Sequence, residues 1–127
     1  MASRQYYAPD PRTRERAYSR AVITEGGRTI WLAGQTAAPG TKDFEAQARE
    51  VFAKLDETIK GAGGAGLRDM VTMTVFINDA RHGDRFVEIR KEIFSDNFPA
   101  SALITVSAFA RPEILIEIQG IAVTGDR

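Results

Sequence analysis

Cysteine is absent from this 127-residue chain, and histidine occurs once, as His82. Without cysteine there is no disulfide, no thiolate nucleophile and no thiolate-held zinc. One histidine cannot build a multi-histidine metal site within a single chain. A surplus of either charge is missing too: 17 Lys and Arg stand against 17 Asp and Glu. Nonspecific attraction to nucleic acid or anionic lipid draws on a basic surplus, so neither partner is expected. No apolar run reaches the roughly 20 residues of a membrane-spanning helix. The opening MASRQYYAPDPRTRER lacks an apolar signal core, and a cytoplasmic location is expected. Internal repeats and low-complexity tracts are also lacking. What is present fits a single domain over residues 1–127, long enough to bury roughly two-thirds of its unfolded surface around one core.

Residues 1–16 are polar, carry Pro9 and Pro11, and read as an extended N-terminal arm. AYSRAVIT and TIWLAG read as two strands of a hairpin closed by EGGR, where Gly26 and Gly27 can supply positive φ. Ala48, Val51, Phe52, Leu55 and Ile59 recur at three- and four-residue spacing and predict a helix, with Asp43 capping its start and Gly61 or Gly63 its end. GAGGAGLRDM has neither the GxGxxG order nor the Lys-Ser/Thr of a phosphate loop and reads as a helix-to-strand connection. VTMTVFIND predicts a strand with Val71, Met73, Val75 and Ile77 on one face and Thr72, Thr74 and Phe76 on the other. DRFVEIRKEIF predicts a second helix on Phe86, Ile89 and Ile93, with Phe94 beside them, and ALITVSAF and ILIEIQGIAV predict the last two strands. The order is therefore β-β-α-β-α-β-β, an α+β sheet with two helices on one face.

The other face needs its own partner. In the last strand, Leu115, Glu117, Gln119 and Ile121 oppose Ile114, Ile116 and Ile118, and Glu117 is the single charge in ten residues. A face that mixes apolar groups with a few polar ones is too apolar to be fully wet. Burial against further copies of the same chain answers this, with Glu117 in a crevice between them.

LAGQT, MVTMTVFIND, FPAS and IEIQGIAV, in this order and spacing, resemble the Rid (YjgF) family, and the resemblance runs over roughly residues 16–124. The family's best-known members are RidA imine deaminases. The resemblance implies a chorismate-mutase-like fold, a homotrimer whose sheets face inward as a barrel, and clefts between subunits. It implies no cofactor. In the deaminases, reactive 2-imino or 2-enamino acids are hydrolysed to a 2-keto acid and ammonia. An arginine after the Pro-Ala of FPAR binds the substrate carboxylate, a glutamate on the last strand holds the attacking water, and a first-strand tyrosine and the GQ turn line the pocket.

Carried over by position, Glu117 falls on that glutamate, Tyr18 on the tyrosine, and Gly34 and Gln35 on the GQ turn. Ser101 stands where the deaminases have arginine, and Gln119 where IEIEAIA has a second acid. This places the chain in an arginine-less branch of the family, distinct from the true RidA imine deaminases, to which deamination of the standard 2-imino acids is not expected to carry over because Ser101 replaces the arginine. Arg90 follows Phe86 by four residues, borders the buried stripe of the second helix, and could supply the anion contact that Ser101 cannot; the alternative is a solvated helix arginine. Arg111, in the turn before the last strand, is a further candidate. Ser101 can hydrogen-bond a substrate oxygen but has no histidine to activate it, since His82 reads as a loop residue. Trp31 reads as packing.

The reading for function is a hydrolase acting on a C–N bond of a small carboxylate-bearing metabolite in inter-subunit clefts, with Glu117 positioning water as a general base. Two others stand beside it: a ligand-binding or regulatory trimer without turnover, and an endoribonuclease or translation inhibitor. The balanced charge and the absence of a basic-aromatic cluster speak against the last of these.

Overall fold

The computed structural model describes residues 2–40 and 43–125. The chain runs β1 (Ser3–Tyr7), α1 (Pro11–Glu15), β2 (Ala21–Glu25), β3 (Thr29–Gln35), α2 (Phe44–Gly61), β4 (Met70–Ile77), α3 (Gly83–Phe94), β5 (Ala100–Thr105) and β6 (Ile116–Val123), with single 3-10 turns at Leu67–Asp69 and Ala80–His82. The β-β-α-β-α-β-β order expected from the sequence spans β2 to β6.

The N-terminal segment is more than an extended arm. β1 pairs antiparallel with β2, and residues 11–15 form a short helix. Pro11 sits at the first helical position, where its missing N–H costs nothing, and the Asp10 carboxylate accepts the N–H of Thr13 at 3.1 Å. Arg4 fastens β1 to the rest: its buried guanidinium donates to the carbonyls of Val123 and, at 2.7 Å, of Arg68.

The expected hairpin is corrected as well. Gly26 and Gly27 do turn the chain with φ of 71° and 77°, but β2 pairs with β1 in a two-stranded sheet, while β3 joins a four-stranded sheet of order β3-β6-β4-β5. Thr124 holds the turn to the end of β6 instead, its N–H donating to the Arg28 carbonyl at 2.9 Å.

α2 follows its predicted stripe: Ala48, Val51, Phe52, Leu55 and Ile59 are all buried, and the Asp43 carboxylate accepts the Ala46 N–H at 2.8 Å. Gly61 is the last helical residue, and Gly63 takes a φ of 100° just beyond. β4 and β5 are parallel, joined through α3 as the crossover, and β6 inserts antiparallel between β3 and β4. In β4 the register against β6 slips between Met70 and Thr72, so Met70 turns into the core and Val71 is only half-buried. β5 starts inside FPAS and ends at Thr105, earlier than its apolar run suggested. One cluster of buried side chains from α2, α3 and the inner face of the sheet forms the core.

The opposite face of the four-stranded sheet carries no helix, and there the expected packing role of Trp31 fails within the chain. It is 78% exposed, paired in register with Ile121, and borders a hollow of about 250 Å³ with Thr72, Thr74 and Gln119. Ile104, paired in register with Phe76, is exposed on β5 at the opposite edge of the sheet.

Candidate functional site

The residues singled out from the sequence gather in two places. The first is a cleft of about 140 Å³ between α1, α3 and β5, lined by Arg12, Arg16, Tyr18, Val87, Arg90, Ser101 and Leu103. The second is a shallow depression of about 220 Å³ on the open sheet face, lined by Phe76, Val106, Ala108, Phe109 and Glu117.

Local bonding explains how the first cleft is assembled. The N–H of Ser19 donates to the Pro99 carbonyl at 3.1 Å and its hydroxyl to the Phe98 carbonyl at 2.6 Å, which bolts the segment after α1 beside the start of β5. Ala17, buried and at a φ of 58°, turns the chain out of α1 through the left-handed region. This turn aims the Arg16 carbonyl at α3, where it accepts from Arg90 Nη2 at 3.0 Å.

Arg90 is not a solvated helix arginine: it is 3% exposed. Its Nη1 donates to Ser101 Oγ at 2.6 Å and lies 4.0 Å from Met73 Sδ, and its guanidinium carbon sits 5.0 Å from the centre of the Phe86 ring. Among the described residues it has no carboxylate partner, and its Nε–H meets no acceptor. Burial pushes its pKa down to about 10, helped by the nearby charge of Arg16 and opposed by Tyr18. It remains a cation at neutral pH, held in low dielectric with only neutral partners. Such a group is costly to bury, and an anion arriving at the cleft relieves the cost.

Arg12 and Arg16 were missed by the sequence reading. They lie in a segment taken as an arm, and only the helical turn of α1 projects them toward Ser101. An i, i+4 pair of arginines after a proline-capped start was the available signal. Arg111 lines neither place: it pairs with Glu113 at 3.1 Å and donates to the Ala37 carbonyl at 3.1 Å. His82 stacks on Phe44, ring centres 4.2 Å apart, at the mouth of neither cleft.

Glu117 is half-buried, and among the described residues its carboxylate joins no ion pair or hydrogen bond. Gly34 explains its position. A Cβ built on Gly34 would stand 2.1 Å from Glu117 Oε2, so only glycine leaves room for the carboxylate against β3. The strand bulges here, its register against β6 shifting between Leu32 and Gln35. Gln35 is turned back on its own strand, toward the Ala33 carbonyl at 3.4 Å.

The two places lie on opposite faces of the sheet. Ser101 pairs with Met73, whose side chain is buried under the helices, whereas Glu117 pairs with Phe76 on the open face. Within one chain the candidate base and the candidate anion site do not meet.

The endoribonuclease L-PSP family model matches residues 8–124 of the chain. The human 2-iminobutanoate/2-iminopropanoate deaminase is 31% identical over 114 residues, which is 85% of this chain and 80% of that protein. A RutC family protein from Pyrococcus horikoshii is 30% identical over 111 residues, 83% of this chain and 85% of its own. The crystal structure of YyfB from Yersinia pestis, a protein of unknown function in the conserved Rid family, superposes with a TM-score of 0.85 at 28% identity, covering 94% of this chain and 98% of that one.

Proposed function

The chain belongs to the endoribonuclease L-PSP family, the Rid or YjgF group, and on that footing we propose that it hydrolyses the C–N bond of a small anionic imine, or of an enamine once it has tautomerised to the imine, in clefts formed between three copies of itself. The observation that carries this reading is Arg90, a buried guanidinium without a counter-ion, opening on a cleft with Ser101 and Tyr18. It offers the carboxylate contact of the family's FPAR arginine from a different wall. Assembly supplies the other half. The open sheet face, with Trp31 and Ile104 exposed and Glu117 among Phe76, Val106 and Phe109, is the surface that a second copy covers. Glu117 of one protomer then faces the Arg90 cleft of its neighbour.

In this arrangement Arg90 and Ser101 hold the substrate carboxylate, which fixes the iminium carbon for attack. As the water oxygen bonds to that carbon, the C–N π pair moves to nitrogen and the water's proton passes to Glu117. Glu117 returns the proton to the amine nitrogen. The C–N bond then breaks with its electron pair leaving on ammonia, and the hydroxyl closes to the keto group as its proton passes to the Glu117 carboxylate, which releases it to solvent.

The test is keto-acid release from 2-imino acids generated in situ, with and without the protein. Acceleration is expected, and Glu117→Gln is expected to lower it by about 10²–10⁴-fold while anion binding persists. Anion binding without any acceleration across imines and enamines would instead make the protein a ligand-binding trimer.

A further inference from the structure

The cleft around Arg90 holds more positive charge than one carboxylate can answer. Arg90 forms its floor, Arg16 is partly exposed above it, and Arg12 stands exposed at the rim. Among the described residues no acidic side chain lines the cleft. Asp84 takes one nitrogen of Arg16 at 2.9 Å, but that aspartate is almost fully exposed and its pull is weakened by solvent. Arg12 makes no ion pair among the described residues. Three guanidiniums with one peripheral carboxylate leave two charges for the ligand, and cations this close repel one another until it arrives.

Resting on the proposed anion site, we infer that the substrate carries two anionic groups: the carboxylate beside the reacting carbon, held by Arg90 and Ser101, and a second carboxylate or a phosphate held by Arg16 and Arg12. Val87 and Leu103 line the same cleft and suit the short carbon chain that would join the two. A guanidinium fork binds either anion in bidentate fashion, so the cleft fixes the charge of the ligand rather than the element that bears the charge.

Titration calorimetry on the intact protein tests this with product-like keto acids. 2-Oxobutanoate has one anionic group, 2-oxoglutarate two carboxylates, and 3-phosphooxypyruvate a carboxylate and a phosphate. At least one of the two dianions is expected to bind tenfold or more tightly than 2-oxobutanoate, and whichever is tighter identifies the second group. Arg16→Gln and Arg12→Gln are each expected to shrink that preference to threefold or less, whereas Arg90→Met weakens binding of all three compounds by about thirtyfold or more. If 2-oxobutanoate binds as well as both dianions, the inference is overturned and the anion site stands. If none of the three binds, the anion site itself is overturned, and the inference with it. A dianion preference that survives both arginine substitutions also overturns the assignment of the second group.

Discussion

Arg90 and Glu117 stand on opposite faces of the same sheet, one folded into the protein and the other left at its surface. The arginine is held by a hydroxyl, a carbonyl and an aromatic ring, all neutral, and loses its water. The carboxylate keeps contact with solvent in a shallow depression, with space cleared for it by a glycine. A binding cation gains from being fixed and desolvated, because its donors are then aimed before the ligand arrives. A group that must exchange protons with water gains from being placed but not sealed. Under the proposed function the contrast separates binding from chemistry, and the two come together only if copies of the chain do.

Breaking the assembly is expected to have the largest effect. Trp31→Arg puts a charge on the open face and should convert a species of three 14.0 kDa copies to one, by light scattering after gel filtration. Turnover should fall by about a thousandfold or more, since base and substrate are no longer held together. A wild-type protein that runs as a monomer at micromolar concentration and still turns over would break the comparison outright.

Arg90→Met tests the buried side. Anion affinity is expected to drop by about thirtyfold to a thousandfold, the cost of losing a charged contact in a desolvated site. The melting temperature should stay level or rise, because an unpaired buried charge is replaced by an apolar side chain of similar length. A marked loss of stability would show that Arg90 is there to hold the fold.

Gly34→Ala tests the exposed side. The new Cβ would collide with the end of a flexible side chain, so folding should be little affected while the carboxylate is pushed aside. A displacement of this size near the reacting atoms is expected to cost about 10²-fold in turnover. Anion affinity should not follow it.

The smallest effect is on pH. Arg90's folded pKa, about 10, lies below the ordinary value of a guanidinium, so in between the unfolded chain binds the extra proton. Its burial therefore costs stability in full below pH 10, and the cost fades as pH rises above 10 toward the ordinary guanidinium value. Anion affinity should be flat from pH 7 to 9 and fall by about tenfold per unit above 10 as the guanidinium loses its proton. The same titration on Arg90→Met should show no such break.

Alternation and helical spacing disclosed the faces of α2, β4 and β6, because which residues share a face is set by positions two, three or four apart. They also marked Glu117, a charge in an otherwise apolar strand, and the short motifs tied Tyr18, Gly34 and Ser101 to it. Other features lay beyond that range. β2 chose β1 over its hairpin partner, and Arg4 binds a carbonyl 119 residues away, on β6. The i, i+4 spacing put Arg90 at the edge of a buried stripe, but whether the edge was wet or dry depended on what α1 laid across it.

The sequence by itself determined the order of elements from β2 to β6, the two sides of the four-stranded sheet and the family to which its motifs belong. Only the tertiary structure decided that an arginine would be buried without a counter-ion, that α1 would add two more arginines beside it, and that Ser101 and Glu117 would face away from each other. Periodicity is local and can be read along the chain, whereas burial and charge balance are sums over neighbours that folding brings from far apart.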